Sequence, residues 1–436
     1  MSASGLIIAA PASGSGKTVM TLALLRRFRD GGARVSSFKV GPDYIDPAYH
    51  RAASGRACVN LDGWAMRPAT LARLAVAAGE GAELVIGEGV MGLFDGATGG
   101  GGSTADLAAL AGWPVVLVVD VRGQAASAAA VVSGFRDFRD DVEIAGVIFN
   151  RVGGESHARL LRDAVAPLGV PVLGCVPRDP ALALPERHLG LVQAREHDDL
   201  DGFLDRAADI VGDKVNISAL ASLARVGRLA ASDDPSPPIP PLGQRIAVAS
   251  DDAFAFAYPF VLDGWRARGA EIAPFSPLAD QAPDAAADAV YLPGGYPELH
   301  AARLAGNDSF LSGLRAAATR GAVVYGECGG YMVLGAGLTD GEGARHAMAG
   351  LLPLETSFAE RRLHLGYREL ALTADGPLGT SGSGFRGHEF HFASIVSEDG
   401  AAPLFTCRDS TGADIGPAGC RRGSVMGSFA HLVDAA

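Results

Sequence analysis

The chain has no apolar run approaching the roughly 20 residues that span a bilayer, so no membrane-crossing segment is expected. Its first apolar stretch, Leu6-Ile7-Ile8-Ala9-Ala10, is too short for the hydrophobic region of a signal peptide and has no cationic flank. The expectation is a cytoplasmic protein. Positive charge is scarce. Against 49 Asp and Glu stand 37 Lys and Arg, a formal net charge of −12, which argues against nucleic acid or an anionic membrane as partner because both reward a basic surface. The five cysteines, Cys58, Cys175, Cys328, Cys407 and Cys420, are odd in number and scattered, without paired metal-ligand spacing. That argues against a disulfide framework and a structural zinc. His388-Glu389-Phe390-His391 lacks the i, i+4 histidine spacing of a zinc-binding helix, so its histidines read as structural or substrate-contacting. No repeat of solenoid period is present.

What remains is an ordinary globular composition on a long chain. At 436 residues it exceeds what one hydrophobic core organises, and two domains are expected. Up to about residue 230, short Val/Ile/Leu runs at 6–10, 35–38, 84–88, 115–120, 144–150 and 172–176 alternate with segments of helical period at 18–28, 70–78, 125–135 and 157–168. This is the βαβ rhythm of a doubly wound parallel sheet, whose ligands bind at the carboxyl ends of the strands. The Pro-rich stretch from Ser232 to Pro241 reads as a stiff linker. The rhythm then restarts, with strands at 246–249, 289–292 and 322–325. The boundaries this implies are 1–231, a linker at 232–244, and 245–436.

Ala12-Ser13-Gly14-Ser15-Gly16-Lys17-Thr18 follows the first strand directly and opens a helix. Small residues let backbone N–H groups approach phosphate oxygens, Lys17 reaches the outer phosphates, and Thr18 is placed to ligate Mg²⁺. Pro11 stands where the standard P-loop has glycine, so the loop is a variant, similar to those of dethiobiotin-synthetase-like and partition-ATPase-like proteins. The second strand ends in Lys39-Val40-Gly41-Pro42-Asp43-Tyr44-Ile45-Asp46, and another in Glu88-Gly89-Val90-Met91-Gly92-Leu93-Phe94-Asp95-Gly96. Thr18, Asp43 and Glu88 form a candidate Mg²⁺ set, because Mg²⁺ prefers hard oxygens. The alternative for each aspartate is turn capping.

In the second half, Tyr325-Gly326-Glu327-Cys328-Gly329-Gly330-Tyr331 has the strand–turn–helix pattern of a nucleophile elbow. Such a turn exposes the side chain and lets the Gly329 N–H serve an oxyanion hole. A helix N-terminus is expected to lower the Cys328 thiol pKa. Leu292-Pro293-Gly294-Gly295-Tyr296 resembles the oxyanion loop of class I glutamine amidotransferases, with the Gly294 and Gly295 amides as donors. His431, after Gly427-Ser428-Phe429-Ala430, is the expected base.

Segments 38–46 and 88–96, together with Val176-Pro177-Arg178 and Leu184-Pro185-Glu186-Arg187-His188-Leu189-Gly190-Leu191, resemble the cobyrinic acid and hydrogenobyrinic acid a,c-diamide synthase family of cobalamin biosynthesis. The resemblance covers nearly the whole chain. It implies an α/β protein of two doubly wound domains, a P-loop NTPase-like, dethiobiotin-synthetase-like synthase domain and a flavodoxin-like class I glutamine amidotransferase domain. It implies a ligase that uses ATP, Mg²⁺ and glutamine to amidate the a- and c-acetates of a corrinoid through acyl phosphates. Hydrogenobyrinate is the first choice of substrate, with cobyrinate and nickel-sirohydrochlorin as alternatives.

Carried over by resemblance, Asp43, Tyr44 and Asp46 sit by the reacting carboxylate and Glu88 holds Mg²⁺. Asp95 orients the intermediate or incoming ammonia, and Asn150 reads adenine. Lys39, Arg178 and Arg187 are candidates for binding substrate carboxylates. Many class I amidotransferases carry Glu two residues after the histidine, where this chain has Val433. A Cys328–His431 dyad is therefore expected, its orienting group unidentified and Glu389 the only name put forward. The rival of another class is a partition-type ATPase switch with an inert amidotransferase fold. The sequence is silent on oligomeric state, a homodimer being among those it allows.

Overall fold

The computed structural model describes residues 3–187, 190–230, 232 and 237–436. Residues 231 and 233–236 of the linker region, and His188 and Leu189 of the 184–191 motif, lie outside the described residues. The chain divides into two compact units, the first reaching residue 233 and the second comprising 234–436 together with 65–67 and 98–100. Among the described residues, no helix is long and apolar enough to cross a membrane.

In the first unit, strands β1 (Ser4–Ala9), β2 (Val35–Val40), β3 (Cys58–Leu61), β4 (Leu84–Glu88), β5 (Val115–Asp120), β6 (Ile144–Val152) and β7 (Val172–Pro177) pair in the order β3-β2-β4-β1-β5-β6-β7. All six of these pairings are parallel. The near-continuous burial of β1, β2, β4 and β5 follows from a sheet covered on both faces, which needs apolar runs rather than alternation. Helices α1 (Lys17–Asp30), α2 (Asp46–Ser54), α3 (Pro68–Gly79), α4 (Thr104–Ala111), α5 (Ser127–Asp137), α6 (Glu155–Val165) and α7 (Leu200–Lys214) accompany the sheet. Helix α4 opens on a capping box in which Ser103 and Asp106 satisfy each other's backbone N–H groups.

The second unit's sheet contains the three strands its βαβ rhythm implies and a fourth, Glu271–Phe275, that was not expected. Strands β8 (Arg245–Ala249), β9 (Glu271–Phe275), β10 (Ala289–Leu292) and β11 (Val323–Glu327) are parallel in the order β9-β8-β10-β11, and β16 (Val425–Ser428) adds in parallel beside β11. The sheet then continues antiparallel through β15 (Asp414–Arg422), β14 (Ala402–Asp409), β12 (His364–Leu372), β13 (Gly384–His391) and β17 (His431–Ala435). A purely doubly wound second domain does not anticipate this extension. The clearest case is β15, interrupted by Gly416, Pro417 and Gly419 and burying only Cys420, so that it carries no apolar run to betray it.

Core packing around the first site is tight. Phe38, fully buried on β2, stacks on Trp113 with ring centroids 4.9 Å apart, and a Cβ on Gly87 would lie 2.1 Å from its ring. Phe38→Ala should therefore leave a cavity and destabilise the first unit by about 3–5 kcal/mol. Urea unfolding followed by circular dichroism checks this as a lowered midpoint.

Candidate functional site

Sheet register builds the first site. Lys39 on β2 and Glu88 on β4 are directly opposed, and Glu88 is opposed on its other side by Ile8 of β1. Glu88 consequently ends its strand between the acidic 43–46 segment and the P-loop. The Lys39 ammonium lies 2.6 Å from Asp46 Oδ2, 2.8 Å from Glu88 Oε1 and 3.8 Å from Asp43 Oδ2. Thr18, in the first turn of α1, donates to the same Glu88 oxygen at 2.6 Å. His50 lies 2.7 Å from Glu88 Oε2, and the Cys58 sulfur 3.5 Å from His50 Nδ1.

Glu88 and His50 are fully buried, so every charge here must be paired to persist. Burial opposes the Glu88 carboxylate, but Lys39 and His50 outweigh it and hold Glu88 well below the usual carboxylate range. Burial likewise opposes the Lys39 cation, which Asp46, Glu88 and Asp43 raise well above its ordinary value. For Asp46, burial and the neighbouring Asp43 charge prevail over Lys39 and push it up to about 7. His50 is pushed up to about 10, with Cys58 and Glu88 overcoming burial.

The P-loop is braced from two sides. Gly16 adopts φ 94°, and a Cβ there would lie 2.3 Å from Asn150 Nδ2. Asn150 donates to the Ser15 carbonyl at 2.9 Å, while its oxygen accepts from the Arg151 N–H. Buried Ser15 donates to the Ala12 carbonyl, whereas Ser13 and Gly14 are exposed. Lys17 donates to the Met91 carbonyl at 2.6 Å, which ties the P-loop to the 88–96 segment; Met91 has φ 49°. Burial, aided by Lys39, pushes Lys17 down to about 8 against the pull of Glu88. A cavity of about 360 Å³ adjoins Gly16, Met20, Asn150 and Arg178.

Several sequence-derived roles read differently in this geometry. Asp43 Oδ1 accepts from the Ile45 and Asp46 N–H groups, starting α2; the capping alternative accounts for that oxygen, and only Oδ2 faces the cluster. Asp95 accepts from the Gly92 N–H and folds its own loop. Lys39 is buried and saturated by carboxylates, so its ammonium is not presented to a substrate, and Arg187 pairs with Glu196 at 2.7 Å. Both ends of the Asn150 amide hold backbone, which makes it a brace for the loop. Tyr44 is half-buried beside Asp43. His50 was missed because α2 was; one helical turn after Asp46, it shares that residue's inward face.

In the second unit, Cys328 sits in the turn between β11 and the short helix Gly329–Leu334 with φ 48° and ψ −105°, a backbone strain of the kind stored at reactive sites. Its N–H donates to the Ser428 carbonyl at 2.8 Å, because β11 and β16 are parallel neighbours, and three residues later the chain delivers His431. A Cβ on Gly294 would lie 3.2 Å from His431 Nε2 and 3.3 Å from Cys328 Cβ. Cysteine and histidine thus face one another beside a position only glycine leaves open. A Cβ on Gly329 would lie 3.1 Å from the Gly295 nitrogen, and one on Gly330 1.9 Å from the Leu292 carbonyl, so the elbow and the 293–295 loop are in close contact.

The expected low thiol pKa is not found. Burial first, then the Glu298 charge, raises Cys328 well above the usual thiol range against the Gly329 N–H. The helix that follows has six residues, a short dipole to set against full burial. Burial and the nearby His388 hold His431 well below the usual histidine range. Both shifts favour the uncharged forms, a thiol and a neutral imidazole. Glu389 does not orient His431; it accepts from Arg368 at 2.7 and 2.9 Å.

Comparison with known proteins agrees with both halves. Residues 6–192 match the CobQ/CobB/MinD/ParA nucleotide binding domain, and residues 245–435 the CobB/CobQ-like glutamine amidotransferase domain. The chain is 58% identical to the hydrogenobyrinate a,c-diamide synthase of Brucella suis biovar 1 (strain 1330), covering 99% of this chain and 98% of that one. It is 54% identical to the enzyme of that name from Rhizobium meliloti (strain 1021) and 51% to that from Mesorhizobium japonicum, each covering 99% of both chains.

The depressed Lys17 amine has a measurable consequence. As pH rises through about 8, Lys17 loses its proton and becomes nucleophilic, whereas Lys39 stays protonated and buried. Acylation at pH 8, followed by peptide mass spectrometry, should label Lys17 well ahead of Lys39, and ATP should protect Lys17.

Proposed function

The chain belongs to the hydrogenobyrinate a,c-diamide synthase family, and from that premise we propose how its two sites carry the reaction. It is a glutamine-hydrolysing ligase of cobalamin biosynthesis whose substrate is hydrogenobyrinate, amidated at the a- and c-acetates. The observation that carries this reading is the coexistence in one chain of a braced P-loop beside a buried acidic cluster and a strained cysteine facing a histidine.

A carboxylate resists nucleophiles because its charge repels them and oxide is a poor leaving group. Transfer of the ATP γ-phosphoryl group to a carboxylate oxygen gives an acyl phosphate and ADP. Ammonia then attacks the carbonyl carbon, phosphate leaves, and the amide forms. In this scheme the P-loop amides and Lys17 hold the phosphates, and Lys17's strong hydrogen bond to Met91 keeps it aimed until they arrive. The cavity beside Gly16 and Asn150 suits the nucleoside by position and size.

The donor set fits Mg²⁺ at Thr18 and Glu88, two hard oxygens side by side at the start of α1; bound there, the ion neutralises charge on the phosphate oxygens. Asp43 fits poorly as a third ligand because one oxygen is held by the Ile45 and Asp46 N–H groups of its own turn. Lys39 and His50 hold Glu88 ionised and fixed in orientation. Asp46, pushed up to about 7, and half-buried Tyr44 are the residues assigned to the reacting carboxylate.

At the second site, the Cys328 sulfur attacks the glutamine amide carbon as its proton passes to His431. The Gly294, Gly295 and Gly329 amides suit the developing oxyanion. His431 returns the proton to the departing nitrogen, ammonia leaves, and water hydrolyses the glutamyl thioester.

Cys328→Ala should abolish amidation driven by glutamine while high ammonia still supports it; mass spectrometry of hydrogenobyrinate incubated with ATP, Mg²⁺ and either nitrogen source reads both. A switch with an inert amidotransferase fold would instead turn over ATP indifferently to glutamine and corrinoid. Glu88→Gln should lower synthase activity at least a hundredfold with either nitrogen source and leave glutamine hydrolysis intact. Retention of ammonia-driven synthesis in that variant would remove Glu88 from the mechanism.

A further inference from the structure

The residue immediately before the nucleophile has a role that its motif does not assign. Strand residues alternate in direction, so Glu327 turns away from the side on which Cys328 opens and runs beneath the turn. Its carboxylate is buried and accepts three hydrogen bonds: from Tyr291 at 2.7 Å, from Tyr325 at 3.0 Å and from the Leu432 N–H at 3.1 Å. The last of these fixes the backbone directly after His431. His431 Nδ1 lies 3.9 Å from Glu327 Oε2, on the far side of the ring from the Nε2 edge that meets Gly294 and Cys328.

The opposite wall is equally defined. His388 and His431 are paired across β13 and β17, and their rings stack with centroids 5.0 Å apart and planes 8° apart. Tyr258 hydrogen-bonds His388 Nε2 at 2.9 Å. Burial holds His388 down to about 3, so this neighbour stays neutral and adds no repulsion when His431 becomes charged. The remaining titratable groups near the dyad are His391, the Arg368–Glu389 pair, and Glu298 beside Cys328. Among these described neighbours, Glu327 is the carboxylate that faces His431 Nδ1.

We infer that Glu327 is the positioning residue of the glutaminase site, orienting His431 and stabilising its imidazolium in place of the carboxylate that Val433 does not supply. The inference rests on the reading of Cys328 and His431 as nucleophile and base. Burial pushes Glu327 up to about 7 against its three donors, and its ionised form is the one that acts: the thiol proton passes to His431 Nε2, Nδ1–H then faces the Glu327 carboxylate, and the Nε2 proton leaves with ammonia. Both dyad members are buried, so separating their charges needs a compensating anion, and a carboxylate held by three donors needs little reorganisation to supply it.

Glu327→Gln tests this, since it keeps the shape and the acceptor oxygen for the Leu432 N–H while removing the charge. Glutamine hydrolysis should fall at least tenfold in kcat with KM changed less than threefold. The pH profile of Cys328 alkylation by iodoacetamide should move up by at least one unit, because the anion that stabilises the His431 imidazolium formed with the reactive thiolate is gone. Ammonia-driven synthesis should stay within twofold, and Tyr291→Phe, which removes a donor but keeps the carboxylate, should show a much smaller alkylation shift.

Glutamine kcat within twofold of the parent and an unmoved alkylation profile in Glu327→Gln would overturn the inference. If Glu327→Gln fails to fold, the ¹⁵N shifts of the His431 ring in the unaltered protein decide: a proton on Nδ1 supports the assignment, and one on Nε2 refutes it. Absence of Cys328-dependent glutamine hydrolysis in the unaltered protein would be a separate failure, that of the glutaminase reading itself.

Discussion

A carboxylate with no exposure to solvent cannot remain charged without partners, and Glu88 sets the terms for everything around it. Its place at the end of β4, between β2 and β1, puts it within reach of a lysine from one strand and of the residue after the P-loop lysine from the other. Removing one partner from such a cluster is far more damaging than the cluster is stabilising, because desolvated charge is left uncompensated. Lys39 and His50 are therefore bound to the cluster for electrostatic reasons before any substrate arrives. The sheet's hydrogen-bond register, fixed by the apolar core beneath it, is what makes the charge balance achievable.

The second site solves a related problem with the opposite electrostatics. Cys328 and His431 are almost wholly buried, and burial alone drives a thiol toward higher pKa and an imidazole toward lower. Both shifts favour the uncharged pair. Reactivity must then come from fixed dipoles and charges that gain strength when charge develops. The backbone strain at Cys328, the glycine-lined contact with His431 and the buried Glu327 carboxylate are all in place without motion of the core.

Local motifs made part of this legible. Ala12 to Thr18, the 293–295 loop and the Gly326 to Gly330 turn each lie within a few consecutive residues, and their chemistry follows from backbone geometry that glycine permits. Long-range partners were not legible in the same way. Glu327 meets His431 only because β11 and β16 are parallel neighbours, and His388 meets His431 only through the pairing of β13 with β17, which no local motif announces. Asp43 was legible as chemistry but ambiguous between capping and ligation, since a free oxygen and a capping oxygen look identical in sequence. Lys39 was ambiguous for the same reason: a lysine beside acidic residues can greet a substrate or neutralise its neighbours, and its burial favours the second.

Asn150 marks the boundary between these cases. Its position at the end of a strand drew it toward a ligand role, yet its amide is engaged at both ends, by the Ser15 carbonyl and the Arg151 N–H. A side chain so placed holds the P-loop in the conformation that points its N–H groups at phosphate, and it also lines the cavity beside Gly16. The same logic runs through Lys17 on the Met91 carbonyl and Leu432 on Glu327. In both units the residues that do chemistry are few, and the buried polar bonds that fix their direction come from elsewhere in the chain, which is why a motif names the reaction sooner than it names the machinery.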